Sequence, residues 1–155
     1  MVQKLVLHLY RRMNSEISYN FIDIEIPGFN PEFFDLWIPE IIRLNGCELN
    51  ELTYVFCTDD YLLEMNREHL NHDYYTDIIS FNYNEGVSLS GDLFISYDRV
   101  VDNAEQLGTE VYDELCRVMI HGVLHLLGFN DKSEAEEEEM RKQEDICLNE
   151  RKRFT

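Results

Sequence analysis

Two histidines and an aspartate in the segment HGVLHLLGFND, residues 121–131, are spaced as metal ligands. His121 and His125 are four residues apart, so on a helix their imidazoles project from one face, one turn apart. Gly128 follows where a helix can end on a left-handed residue and let the chain turn back towards the pair, and Asp131 comes next. Two imidazoles, one carboxylate and an open fourth position are the arrangement of a catalytic zinc site. We therefore predict that His121, His125 and Asp131 hold one zinc ion, for which another divalent metal could substitute.

This spacing is also that of the metzincin peptidases, with one important difference. Those enzymes have the motif H-E-x-x-H-x-x-G-x-x-H, in which the glutamate deprotonates the attacking water. The present chain has Gly122 at the position of that glutamate and Asp131 at the position of the third histidine. Glycine has no side chain that could act as a base, so a peptidase mechanism of this type is disfavoured.

The elements that must position these ligands indicate an α/β or α+β domain. Four segments have the β-branched, aromatic or alternating pattern of strands: residues 17–26, 52–57, 77–82 and 91–96. Five segments have the caps and apolar spacing of helices: residues 30–46, 58–70, 97–107, 109–127 and 133–150. We expect a single mixed sheet of about four strands with about five helices packed on it. The third and fourth strands should form an antiparallel hairpin, and the helix with the histidines, for which Thr109 is the expected cap, should be buried.

Length and composition are those of one globular domain. The chain has 155 residues, of which 45% are hydrophobic and 12% aromatic, so a disordered or fibrous class is disfavoured. We expect a single metal-dependent hydrolase domain at residues 17–155, with residues 1–16 as a candidate upstream extension. The four cysteines are widely spaced and include no CxxC pair, so we expect free thiols and a cytoplasmic protein. The longest apolar runs are shorter than the ~18 residues of a membrane span, so no membrane partner is expected.

Three motifs together resemble the YbeY family of endoribonucleases. HGVLHLLGF, TDIISF at residues 76–81 and GDLFIS at residues 91–96 are similar in order and spacing to the family's HGxLHLxGYDH, TDVLSF and GDI segments. The resemblance implies a zinc-dependent endoribonuclease of the bacterial cytoplasm that cleaves single-stranded RNA. It would act in ribosomal RNA maturation, notably at the 3′ end of the small-subunit RNA, and in ribosome quality control. The implied partners are ribosomal RNA, the ribosome and proteins of ribosome assembly.

The chain departs from the family pattern at two positions. The family's third zinc ligand is a histidine, which here is Asp131, an acceptable ligand that adds one negative charge. In many relatives, an arginine considered important for cleavage lies six residues before the threonine of TDVLSF, and Leu70 occupies that position here. Two catalytic cations could replace it. They are Arg67, one helical turn earlier, and Arg117, four residues before His121.

The net charge of −18 argues against tight autonomous binding of RNA. Guided binding on a ribosome or with a partner protein is favoured instead. For catalysis, zinc would lower the pKa of a bound water towards ~7 and polarise a phosphoryl oxygen, or the ribose 2′-hydroxyl would be the internal nucleophile. Two alternatives stay open: a ribosome-assembly binding factor with a largely structural zinc, and a metzincin-like peptidase, which Gly122 disfavours.

Overall fold

The computed structural model describes residues 16–155, which form a four-stranded sheet and five α-helices. In chain order the elements are β1 (Ile17–Phe21), α1 (Pro31–Leu44), β2 (Glu48–Cys57), α2 (Asp59–Leu70), β3 (Ile78–Asn82), β4 (Ser88–Ser96), α3 (Tyr97–Leu107), α4 (Val111–Leu126), α5 (Glu134–Glu150) and a 3-10 turn at Arg151–Arg153. The expected single mixed sheet with five helices is confirmed. The candidate upstream extension falls almost wholly on residues 1–15, outside the described residues, and the division into extension and domain stays a prediction.

The strand order is β1-β2-β4-β3. The pairs β1–β2 and β2–β4 are parallel. Strand β3 runs antiparallel to β4, which confirms the predicted hairpin. The first strand is shorter than the sequence pattern indicated, because Asp23 adopts a left-handed φ of 55° that an extended strand cannot continue through. The hairpin leaves β3 at one edge of the sheet, beside α4.

The two faces of the sheet are covered by different helices. Because side chains alternate along a strand, Leu93 and Ile95 of β4 face the main core, which includes α1 and α4, while Phe94 faces the other side. On that second side Phe94 packs with Leu62 and Met65 of α2 in a smaller cluster. The helix that carries the two histidines and the helix that carries Arg67 therefore lie on opposite faces of the sheet.

Helix α4 is buried, as its apolar pattern predicted. The Tyr54 hydroxyl donates a hydrogen bond to the carbonyl oxygen of Met119 at 3.0 Å, which ties β2 to the middle of the helix. The expected cap was wrong by one residue. Glu110 is the N-cap of α4, and the Thr109 N–H instead donates to the carbonyl of Ala104 at the end of α3. Gly108 adopts a left-handed φ of 66°, which lets the chain turn at the end of α3.

Helix α5 docks on α1 and α4 along a narrow apolar stripe. Ser133 caps its first turn, accepting a hydrogen bond from the Glu136 N–H at 3.1 Å, as the capping pattern predicted. Met140 and Cys147 are buried, and the Trp37 indole of α1 donates to the Cys147 carbonyl at 3.0 Å. Among residues 16–155 no helix is long and apolar enough to cross a membrane.

Substitution of Gly91 by alanine is expected to destabilise the protein by about 1–3 kcal/mol, because the added methyl group overpacks the contact between α4 and the sheet. A Cβ atom there would lie 2.8 Å from the Phe81 carbonyl oxygen and 2.7 Å from Cδ1 of Leu126. Urea unfolding should show this decrease in the free energy of unfolding. Ser90→Ala, at the neighbouring position on the opposite face of β4, is the control: it removes only an exposed hydrogen bond from Asn50 and should change the free energy of unfolding by less than about 1 kcal/mol. Equal stabilities for the wild type and Gly91→Ala would contradict the close approach.

Alkylation by iodoacetamide at pH 7.5 is expected to modify Cys47 quickly and the other three cysteines only after denaturation. Burial raises the pKa of the Cys57 and Cys147 thiols to about 12 and that of Cys116 to about 11, so the reactive thiolate is scarce. Cys47 is partly exposed. Mass spectrometry of native and urea-treated protein would measure this, and rapid labelling of Cys147 in the native protein would contradict the docking of α5.

Candidate metal centre

The structure brings His121, His125 and Asp131 together in one compact triangle. The Nε2 atoms of the two histidines are 3.0 Å apart, and each lies 3.3 Å from Oδ2 of Asp131. Ligand atoms held 2.0–2.1 Å from a tetrahedral zinc ion are about 3.3–3.4 Å apart. The three atoms are therefore spaced as three corners of a zinc coordination sphere.

The hydrogen bond of the second nitrogen of each imidazole orients the ring so that its Nε2 atom can bind a metal. Nδ1 of His125 lies 3.1 Å from the Phe129 carbonyl oxygen, and Nδ1 of His121 lies 2.8 Å from a carboxylate oxygen of Glu144. Neither acceptor carries a hydrogen, so each Nδ1 donates, and each neutral imidazole then has its lone pair on Nε2. Two Nε2 atoms and a carboxylate oxygen converge at about 3 Å, close enough to coordinate one ion together. This donor set fits a divalent metal, and both imidazoles are oriented as in known zinc sites.

The turn after α4 places Asp131 opposite the histidines. Gly128 has a left-handed φ of 102°, as its position in the sequence predicted, and its N–H donates to the His125 carbonyl at 3.0 Å. The next residue, Phe129, donates its N–H to the Leu124 carbonyl and packs its ring against the core. This anchor fixes the chain two residues before Asp131, whose side chain is 38% exposed.

A network of buried charged residues contacts His121 at its Nδ1 atom, on the side of the ring away from His125 and Asp131. Glu114 and Glu144 are each only 3% exposed, on α4 and α5 respectively. Arg117 joins them: its Nε atom lies 2.9 Å from Glu114, its Nη2 atom also pairs with Glu114, and its Nη1 atom lies 3.1 Å from Glu144. The hydrogen bond to Glu114 raises the pKa of the Arg117 guanidinium above its ordinary value. The chain of contacts Glu114–Arg117–Glu144–His121 therefore fixes the imidazole of His121, the first candidate metal ligand.

A depression of about 290 Å³ opens beside His121 and Asp131. Its lining includes Arg117 from α4 and Glu137 and Arg141 from α5. A second concave region, of about 400 Å³, lies over the polar face of β2 and β4 and includes none of the three metal-site residues. The depression at His121 is therefore the place where a substrate could reach the metal.

The two arginines suggested as catalytic cations have different surroundings. Arg117 lines the depression but is held by two buried carboxylates. Arg67, on α2, makes a 2.6 Å ion pair with Asp73 and lies 3.7 Å from Glu64. Neither contact links Arg67 to the metal-site residues, and the catalytic roles of both arginines stay predictions.

Gly122 faces the sheet rather than the metal. A Cβ atom on it would lie 2.7 Å from Cδ1 of Ile78 and 2.9 Å from Cδ1 of Leu93. Even a methyl group would have to displace both side chains, and a glutamate would place its carboxylate in an apolar interface. The close packing of α4 on the sheet thus explains the glycine.

Sequence reasoning missed Glu144 and Glu114. The many charged residues of α5 are typical of a solvated helix, yet Glu144 lies four residues after Met140 and three before Cys147, on the buried stripe. Glu114 lies seven residues before His121, on the same face of α4. A carboxylate on a buried stripe was the available signal, because such a group needs a partner.

Comparison with known proteins gives a family that agrees with this geometry. Residues 29–152 match the sequence profile of the family described as "Endoribonuclease YbeY". A protein of that name from Bacteroides thetaiotaomicron is 46% identical over 132 residues, which span 85% of this chain and 96% of the relative. One from Phocaeicola vulgatus is 48% identical over 132 residues, with the same two coverages.

A solved structure supports the fold independently of these names. The solution structure of a Thermotoga maritima protein matches with a TM-score of 0.57 at 23% sequence identity, over 86% of this chain and 90% of that one. At this level of identity the match bears on the fold alone. The sequence profile and the curated relatives confirm the resemblance that the three motifs indicated, and this chain belongs to the YbeY family of endoribonucleases.

Proposed function

We propose that this protein is a zinc-dependent endoribonuclease that cleaves single-stranded segments of ribosomal RNA in the cytoplasm. The proposed target is the 3′ end of the small-subunit RNA, with further action in ribosome quality control beside proteins of ribosome assembly. The observation that carries the proposal is the triangle of His121, His125 and Asp131 beside an open depression. The family name supports RNA as the substrate.

The ligand set supports a catalytic rather than a closed structural site. No fourth histidine, cysteine or carboxylate joins the three ligands within residues 16–155, whereas structural zinc sites are usually closed by four protein ligands. A divalent ion held there would supply Lewis-acid polarisation of a phosphoryl oxygen and a nucleophile from water near neutral pH. A glutamate base beside the first histidine is therefore not required, which is consistent with Gly122.

The surrounding residues have separate roles in this proposal. His121, His125 and Asp131 hold the ion, and Glu144 orients His121 through its Nδ1 atom. Arg117 is positioned to hold Glu144 and to bring one positive charge to the wall of the depression. Arg67 stays a second candidate for a catalytic cation, which it could become only by leaving its ion pair with Asp73.

Loss of either histidine is expected to remove both the metal and the cleavage activity. Wild-type protein should contain about one zinc per chain by elemental analysis and cleave single-stranded RNA in a chelator-sensitive reaction. His121→Ala and His125→Ala should lose the zinc and lower the cleavage rate at least about a hundredfold. His69→Ala, which removes a half-exposed histidine on α2, is the matched control. Full activity in His121→Ala would contradict the proposal. Wild-type protein that co-sediments with ribosomes but does not cleave RNA would favour the alternative of a ribosome-assembly binding factor.

Neutralising Glu144 should weaken metal binding without removing a ligand. Glu144→Gln keeps the shape of the side chain but withdraws the charge that Nδ1 of His121 faces, so zinc affinity should fall about 10–100-fold. Competition with a chelator of known affinity would measure the loss. Glu138→Gln removes one charge from the exposed surface of the same helix and should leave the affinity unchanged. Equal affinities in the two variants would show that Glu144 does not support the site.

A further inference from the structure

A phosphodiester that is cleaved at the metal needs a cation beside it to offset its own charge and the charge that develops during reaction. The resemblance to the family implies an arginine that is important for cleavage at the position that is Leu70 here. Arg67 and Arg117, the two cations that the sequence analysis suggested, both have carboxylate partners in the fold. The substrate-binding cation must therefore be found among the residues around the depression.

Arg141 of α5 has the required position. It lines the depression together with His121 and Asp131, and its side chain is exposed. It directly follows the buried Met140 and precedes the buried Glu144 by three residues, which puts it at the border of the docked stripe. This border is where the helix meets the metal site.

Arg141 is also free to bind an anion. Its neighbour Glu137, four residues earlier, lines the same depression and could pair with it, but the two do not form an ion pair within 4.0 Å. In the part of the chain that the structure describes, Arg141 has no ion pair with any acidic residue. By contrast, Arg117 reaches the same depression with its guanidinium already shared between two carboxylates.

The charges around the metal favour an added cation. Four carboxylates and two guanidinium groups surround the site, so its formal net charge is −2, which a divalent ion would neutralise. The residues are Asp131, Glu137, Glu144, Glu114, Arg117 and Arg141. A phosphate that arrives at this neutral site would gain most from a guanidinium that has no carboxylate partner. Arginine can also donate two parallel hydrogen bonds to phosphate oxygens.

We propose that Arg141 binds the phosphate of the RNA segment held at the metal and supplies a positive charge beside the phosphodiester. This inference rests on the proposed function, since it names a residue that binds the substrate of the same site. Arg141 is a contact for the non-bridging oxygens and not a metal ligand, so its removal should leave the zinc in place.

The test compares Arg141→Ala, Arg141→Lys and the wild type, all loaded with zinc. Arg141→Ala should keep one zinc per chain and the wild-type melting temperature, while kcat/KM for a single-stranded RNA falls about tenfold, mainly through KM. Arg141→Lys keeps the charge without the paired donors and should lose less. The slope of log KM against log salt should become shallower by about 0.7 when one phosphate contact to a single strand is removed. A merely structural role would not change that slope.

Lys142→Ala is the matched control. It removes one exposed cation from the next position of the same helix, and Lys142 is not part of the depression's lining. Its KM and salt slope should be those of the wild type. If Lys142→Ala and Arg141→Ala had equal effects, the contribution would be general surface charge, and the assignment to Arg141 would be overturned.

A binding measurement separates failure of this inference from failure of the proposed function. Fluorescence anisotropy with a labelled single-stranded 2′-O-methyl RNA gives the affinity whether or not the protein cleaves RNA. If the wild type cleaves RNA and Arg141→Ala matches it in both assays, the function stands and the Arg141 contact is wrong. If the wild type does not cleave but binds about tenfold more tightly than Arg141→Ala, the contact stands and the nuclease proposal fails. Absence of both cleavage and binding in the wild type overturns both.

Discussion

The geometry of the candidate metal site depends on one buried carboxylate, Glu144, and on how its charge is compensated. A carboxylate that is 3% exposed is unfavourable unless it is hydrogen-bonded and paired. Glu144 meets that requirement with Arg117 and the Nδ1–H of His121, which both belong to α4. The same contacts therefore dock α5 on α4 and orient His121, the first candidate metal ligand. The docking of the helix and the geometry of the site have one physical cause.

The close approach of α4 to the sheet is the second constraint on the chemistry. Glycines at two contact points, Gly91 on β4 and Gly122 on α4, leave space for Leu126, Ile78 and Leu93. Since Gly122 faces the sheet, the position at which metzincin peptidases place their base is occupied by packing. The helix therefore presents His121 to the depression and His125 beside it without the glutamate, and under the proposed function the chemistry would come from a bound metal and the groups around it.

The local part of the site could be predicted from the sequence, and the distant part could not. His121 and His125 share a helical face through their spacing alone, and Gly128 predicts the turn that returns the chain at Asp131. Glu144 comes from another helix, and its position depends on tertiary contacts such as the hydrogen bond from Trp37 to Cys147. The hairpin and the helices could be predicted from pattern, whereas strand order depends on packing between elements that no local signal encodes.

The distribution of charge reconciles an acidic chain with an anionic substrate. Helix α5 contains eight acidic and two basic residues, so it supplies six of the eighteen net negative charges. Most of these carboxylates are exposed, where salt screens them beyond about 8–10 Å. At the depression, Arg117 and Arg141 offset part of the negative charge and a bound divalent ion would neutralise the rest, so the local field would be much weaker than the net charge indicates. Without the metal, the groups around the depression would have a net charge of −2, which repels RNA. The metal ion and the RNA should therefore each favour binding of the other.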